Sequence, residues 1–233
     1  MRNITLSHTG FHIATVTPNW EPYDEKENKF PPAIHHVPIG VSVLDLKSKK
    51  GAVQAVTRTK VVKNLESERS LVRGALQQLP GKQENLLSFG GISFCGPVLL
   101  YRAMHYGIPQ VHDRLLTHDR GHHVDLKEVL GNYGALYAAS LSDFAQLIRL
   151  PKRPYLKVDD AFNDGALDAI RGRLEIDVMI IGLLWLSGMH AYGTISSEEL
   201  REAGGAILEA YSSASPGVRD YLEKANLLRE DDD

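Results

Sequence analysis

The sequence predicts an α/β protein: a mixed β-sheet flanked by helices, followed by an all-helical C-terminal portion. Three observations lead there. Two β-prone runs, residues 39–46 and 52–59, are separated by a turn-like SKKG and suit an antiparallel hairpin. An apolar strand at residues 86–89 is stopped by Gly90-Gly91 and followed by a helix opening at Pro97. From residue 166 onward no strand pattern returns, and one helical period follows another.

In chain order, residues 11–16 (FHIATV) are rich in β-formers and end before Pro18. Residues 19–32 carry Pro22, Pro31 and Pro32 and a DEKENK run, which predicts a solvated, irregular excursion. The hairpin comes next. Residues 66–79 then show the helical period, with Leu65, Val72 and Leu76 on one face and a stop at Pro80-Gly81. The strand at 86–89 leads to a helix over 97–106, with Leu99, Leu100, Ala103 and Met104 on its apolar side and Gly107 as terminator.

Residues 111–123 show the least order in the chain. Asp125 stands at the head of a short helix over 125–130, where an acid suits the N-terminal dipole. Ser140 is a fitting N-cap for LSDFAQLIRL, whose Leu141, Phe144, Leu147 and Ile148 share a face. Residues 151–164 form a charged linker, expected to be mobile. Residues 166–189 form a long helix that is apolar nearly all round after Ile176, so its second half is expected to be buried. Residues 197–213, opening on S-S-E-E, and 216–228 add two amphipathic helices before the acidic tail at 231–233.

The 233 residues, 43% of them hydrophobic, suffice for one sizeable core. A net charge of −3 supplies no global field for nucleic acid, so polyanion binding would need a local patch. The single cysteine, Cys95, permits no internal disulfide and fits a reducing, cytoplasmic setting. The N-terminus MRNITLSHTG has no apolar core of a secretory leader. The longest apolar run, 178–189, is short of the ~20 residues that span a bilayer. No phosphate loop, nucleophile elbow or paired-cysteine motif is present.

Three strings carry more information. They are FGGISFCGPVL from Phe89, HVDL around Asp125, and RLEIDV around Asp177. They resemble motifs of the DEDD 3′–5′ exonuclease superfamily, in its DEDDy branch like the proofreading domain of family-B DNA polymerases. Members of that branch typically read F-N-G-x-x-F-D-x-P-x-L, H-x-D-L and Y-C-x-x-D-V. The resemblance implies an RNase H-like fold over residues 1–190, with 191–233 as a helical extension of the same domain.

Such enzymes use carboxylates to hold two divalent ions ~4 Å apart, which activate water and stabilise the leaving oxygen. The resemblance places His12 and Ala14 where the first motif has its aspartate and glutamate. It places Cys95 at the second-motif aspartate, Gly90 at the neighbouring asparagine, and Arg173 at the tyrosine before the last acid. Asp125 and Asp177 are kept, two of the four acids, and are the positions for Mg or Mn if any metal binds. Phe94 and Gly91 are implied contacts to a nucleic-acid strand.

The residues themselves admit simpler roles. His12 fits a packed strand histidine, Cys95 a small buried hydrophobe and Asp125 a helix cap. Arg173 stands four residues before Asp177, the spacing of an ion pair on one helix face. His112, His118, His122 and His123, with Asp113 and Asp119, offer an alternative His/Asp metal site. Asp24 or Asp45 could replace a lost ligand. The lysines and arginines of KVVKN, HDR and PKRP could form a basic strip beside the cleft. Three functions are therefore expected in order: an impaired exonuclease-like protein that binds nucleic acid, with no cofactor; an interaction or assembly module, with a protein partner or a homo-oligomer; and an active nuclease with a non-standard site. No membrane partner is expected.

Overall fold

The structure is a computed structural model that describes residues 6–18, 31–49, 52–79, 85–109, 115, 122–136, 139–211 and 215–230. Most of the excursion at 19–32, most of the stretch at 111–123 and the acidic tail lie outside the described residues. Among the described residues, five strands form a mixed sheet: β1 (Ser7–Val16), β2 (Val37–Lys49), β3 (Ala52–Val61), β4 (Asn85–Ser88) and β5 (His123–Asp125). Their order is β3-β2-β1-β4-β5. The first three are antiparallel, while β4 lies parallel to β1 and β5 parallel to β4.

The predicted hairpin is thus present but longer on both arms than its most β-prone letters. The antiparallel ladder keeps polar residues such as Lys47 and Ser48 in pairing with Gln54 and Val53. β5 carries no strand signal of its own. Its three residues are extended because parallel pairing to β4 fixes them, a tertiary effect that local propensity does not reveal.

Alternation along β1 decides which side chains meet which layer. Phe11 and Ile13 point to the face covered by α1 (Glu68–Gln78) and α2 (Gly96–His105), where they join Leu71, Val72, Leu99 and Ala103. Gly10 and His12 point to the opposite face, where a side chain at Gly10 would touch Val178. That second face is covered by α6 (Leu167–Ala191), with α7 (Ser197–Ala210), α8 (Pro216–Glu230) and α4 (Leu141–Leu147) around it. Leu44, Leu46, Leu87, Ile181 and Ile207 form its core. Two shorter helices also occur among the described residues, α3 (Leu126–Leu130) and α5 (Val158–Asn163).

By length and composition α6 could cross a bilayer, which the shorter run counted in the sequence did not suggest, but most of its apolar stretch is buried inside this fold. Gly182 lets it lie close to the sheet. A Cβ there would come within 2.7 Å of Leu44 Cδ2 and 3.1 Å of Ile207 Cδ1.

Other expectations need correcting. Residues 151–164 are not a linker throughout: 151–157 have no regular secondary structure, and Val158–Asn163 form α5. Asp159 Oδ1 accepts the Thr17 backbone N–H at 2.9 Å, tying α5 to the end of β1. The helix at 97 begins one residue earlier, after a π-turn at Gly91–Cys95. On α2, Val98, Leu99 and Ala103 are buried while Met104 is 69% exposed. Leu65 belongs to a separate 3-10 turn capped by Asn64 before α1, and it is exposed.

Candidate functional site

The site lies where β1, the π-turn and α6 converge. The π-turn is built by its glycines and one acid. Gly90 adopts φ +75°, a left-handed conformation that glycine reaches without strain. A Cβ on Gly91 would come within 2.2 Å of Ser88 Oγ, so no larger residue fits without a shift. Gly90 and Ile92 donate their backbone N–H groups to the two oxygens of Asp125, at 2.7 and 2.9 Å. Asp125 also caps α3 by accepting from Lys127 N at 3.1 Å. The wide turn ends with Cys95 N–H bonded to Gly90 O at 3.3 Å. Its result is to aim the Cys95 thiol at β1, 3.9 Å from His12 Nδ1.

The other ring nitrogen of His12 lies 3.6 Å from Asp177 Oδ2 on α6. The Asp177 carboxylate is almost wholly buried and serves two guanidiniums. Arg173 Nε donates to both of its oxygens, at 3.1 and 3.2 Å, which is the i, i+4 pair the spacing predicts. Arg153 Nη1 donates to Oδ1 at 3.1 Å from the segment that precedes α5. Arg173 Nη1 also donates to the carbonyl of Pro154. Tyr221 Oη on α8 donates to Pro151 O at 2.7 Å, so α6 and α8 both hold the 151–154 backbone.

Protonation follows from burial. It pushes the Cys95 thiol up to about 12, so at neutral pH the sulfur is protonated and can donate to His12. Burial lowers His12 below its ordinary value; Asp177 pulls it back while Arg153 and Arg173 act with burial. The imidazole is then neutral, with Nδ1 turned to the Cys95 thiol and Nε2 to Asp177. Burial likewise lowers Arg153, against Asp177, yet leaves a guanidinium charged at neutral pH. The charge sum is two guanidiniums against one carboxylate, a net single positive charge beside a neutral His–Cys pair.

This donor set does not fit a pair of magnesium ions. Hard divalent cations take several oxygen ligands, whereas the groups here are a neutral imidazole, a protonated thiol and one carboxylate already holding two cations. Ala14, at the glutamate position, offers no donor. Among the described residues no group of three or more His, Cys, Asp or Glu side chains is placed to hold an ion.

His12, Cys95, Asp177 and Arg173 are brought together in one chain of contacts. Asp125 is not part of that group of contacts: both of its oxygens are engaged by backbone N–H groups of the π-turn and α3. Gly91 is buried against Ser88 and His123, so it presents no surface to a strand. Phe94 is half-buried and packs edge-on against His36, with ring centroids 4.8 Å apart. Of the histidine-rich stretch, His112, His118, Asp113 and Asp119 lie outside the described residues. His123 is buried, and its Nε2 is 2.8 Å from Ser88 Oγ. Asp24 also lies outside, and Asp45 bonds Thr9 and Arg58 rather than entering the site.

The residue that sequence reading undervalued is Arg153. It sits in the PKRP run, 24 positions from Asp177. Local spacing gives no sign of a contact that only the fold creates.

Two comparisons with known proteins bear on this geometry. The family described as "Predicted 3'-5' exonuclease related to the exonuclease domain of PolB" matches residues 28–225, most of the chain. The match leaves β1, and with it His12, outside. No curated protein matches the sequence.

Proposed function

Because the chain belongs to the family of predicted 3′–5′ exonucleases related to the exonuclease domain of PolB, we propose that it is an exonuclease-like protein impaired in cleavage that holds nucleic acid without cutting it. One observation carries this reading. Asp177, the acid kept from the last motif, is bracketed by Arg153 and Arg173. Fixed guanidiniums thus stand beside the carboxylate that the family resemblance assigns to mobile cations. A guanidinium neutralises a phosphate and orients it by hydrogen bonds, but it neither generates hydroxide nor delivers it to phosphorus. Arg153 and Arg173 keep 24% and 16% of their side chains accessible, so the pair is not sealed from solvent.

The test uses end-labelled single-stranded DNA and RNA, with magnesium and then manganese. The expected result is no shortening of either strand, together with an affinity that persists in a chelator and weakens as salt is raised. Metal-dependent shortening that Asp177→Asn abolishes would overturn the proposal. So would the absence of any strand affinity at low salt.

A further inference from the structure

The segment at 151–157, PKRPYLK, holds an aromatic ring in an unusual position. Tyr155 is 90% exposed, the most exposed of the large hydrophobic side chains among the described residues. Its backbone is nevertheless fixed on both sides. Pro151 O is bonded by Tyr221 Oη at 2.7 Å and Arg153 N–H donates to Ser142 Oγ at 3.2 Å. Pro154 O, the carbonyl joined to the Tyr155 nitrogen, accepts from Arg173 Nη1. On the far side Leu156 packs into the α1/α2 core, and Lys157 pairs with Asp160 at 2.9 Å. Two flanking prolines, Pro151 and Pro154, further limit what the chain can do.

A solvent-facing aromatic ring gains nothing for the fold from its exposure. The anchored backbone holds a tyrosine that is 90% exposed, with its ring face open to a partner. Tyr155 stands two residues from Arg153, which keeps their Cα atoms within about 7 Å of each other. That is the scale of a single nucleotide, whose phosphate and base are the chemical complements of a guanidinium and an aromatic face.

We propose that Tyr155 is a stacking platform for one unpaired base of a single strand whose phosphate lies at Arg153 and Arg173. This rests on the nucleic-acid reading above and deepens it. It predicts a preference for single strands, because a base in a duplex offers no free face. It also predicts tolerance of base identity, because every base has a π-face.

The experiment measures binding of the full chain to a fluorescent oligothymidylate, to oligouridylate and to a duplex of the same length. Tyr155→Ala is expected to weaken single-strand binding about tenfold, while Tyr155→Phe retains it. The salt slope should be the same for Tyr155→Ala and wild type, since no phosphate contact is removed. A strand carrying 2-aminopurine should be quenched by wild type and by Tyr155→Phe, but not by Tyr155→Ala. Wild-type affinity for single strands that Tyr155→Ala leaves unchanged would overturn the platform alone. Wild type that binds no strand would overturn the nucleic-acid reading and the platform with it. Thymidylate against uridylate separates DNA from RNA.

Discussion

Asp125 shows how one buried carboxylate can organise the backbone around it. Its oxygens accept N–H groups from Gly90, Ile92 and Lys127. Asp125→Ala removes a shared acceptor for three backbone donors in a buried place, and we expect a loss of about 3 kcal/mol in urea unfolding. A variant as stable as wild type would refute the structural role. His8 makes a pH-dependent statement at the same scale. It is buried beside Trp185, and burial lowers its pKa from 6.5 to about 4. Between those values the unfolded chain binds a proton that the folded chain refuses, so acidification favours unfolding. Stability should therefore fall from pH 6.5 to pH 4, by roughly 3 kcal/mol from this group. His12 and His36 are also lowered, chiefly by burial, so His8→Asn should flatten the decline without abolishing it. A pH series of denaturation midpoints decides; equal slopes in variant and wild type would reject the assignment.

At the level of elements, legibility tracks how local the cause is. The Arg173–Asp177 pair was readable because a helix brings i and i+4 together. The hairpin was readable because a short turn separates two β-prone runs. The π-turn was not, since no composition rule marks it. It exists because Gly90 can be left-handed, Gly91 can be crowded, and Asp125 waits on a distant strand. The anchoring of residues 151–157 is not legible either, for the same reason. Their charges look solvated in sequence, yet Arg153 is anchored on Asp177 through the fold. The three-residue ion cluster yields a prediction of its own. Asp177→Ala strands two half-buried guanidiniums and should cost roughly 3–5 kcal/mol. The triple change Arg153→Met, Arg173→Met, Asp177→Leu removes the charges together and should recover most of that loss. Thermal melts of the four proteins, including Arg173→Met alone, would show it. A triple variant no more stable than Asp177→Ala would mean that the cluster acts through something other than charge pairing.

Across the whole molecule, the sheet separates two apolar clusters, and α6 belongs to both. Its first turns place Ile170 and Leu174 with the α1/α2 side, while Ile176 and the residues beyond it join the α7/α8 side. A helix that is apolar all round has no stable exposed state, so its burial depends on both layers being in place. The C-terminal helices are also bound to the body of the protein. Glu175 on α6 accepts from Ser215 just before α8, at 2.7 Å from its hydroxyl, and Glu202 on α7 accepts the Val53 N–H of β3 at 3.2 Å. Residues beyond 190 should therefore unfold with the sheet and not before it. We expect one cooperative transition, with far-UV circular dichroism and Trp185 fluorescence, read in a Trp20→Phe background, giving coincident curves. Gly182→Ala, which forces α6 away from Leu44 and Ile207, should lower that single midpoint by the equivalent of about 1–3 kcal/mol without splitting it. Fluorescence that changes ahead of the circular dichroism, in wild type or in the variant, would show that the helical layer folds as a unit of its own.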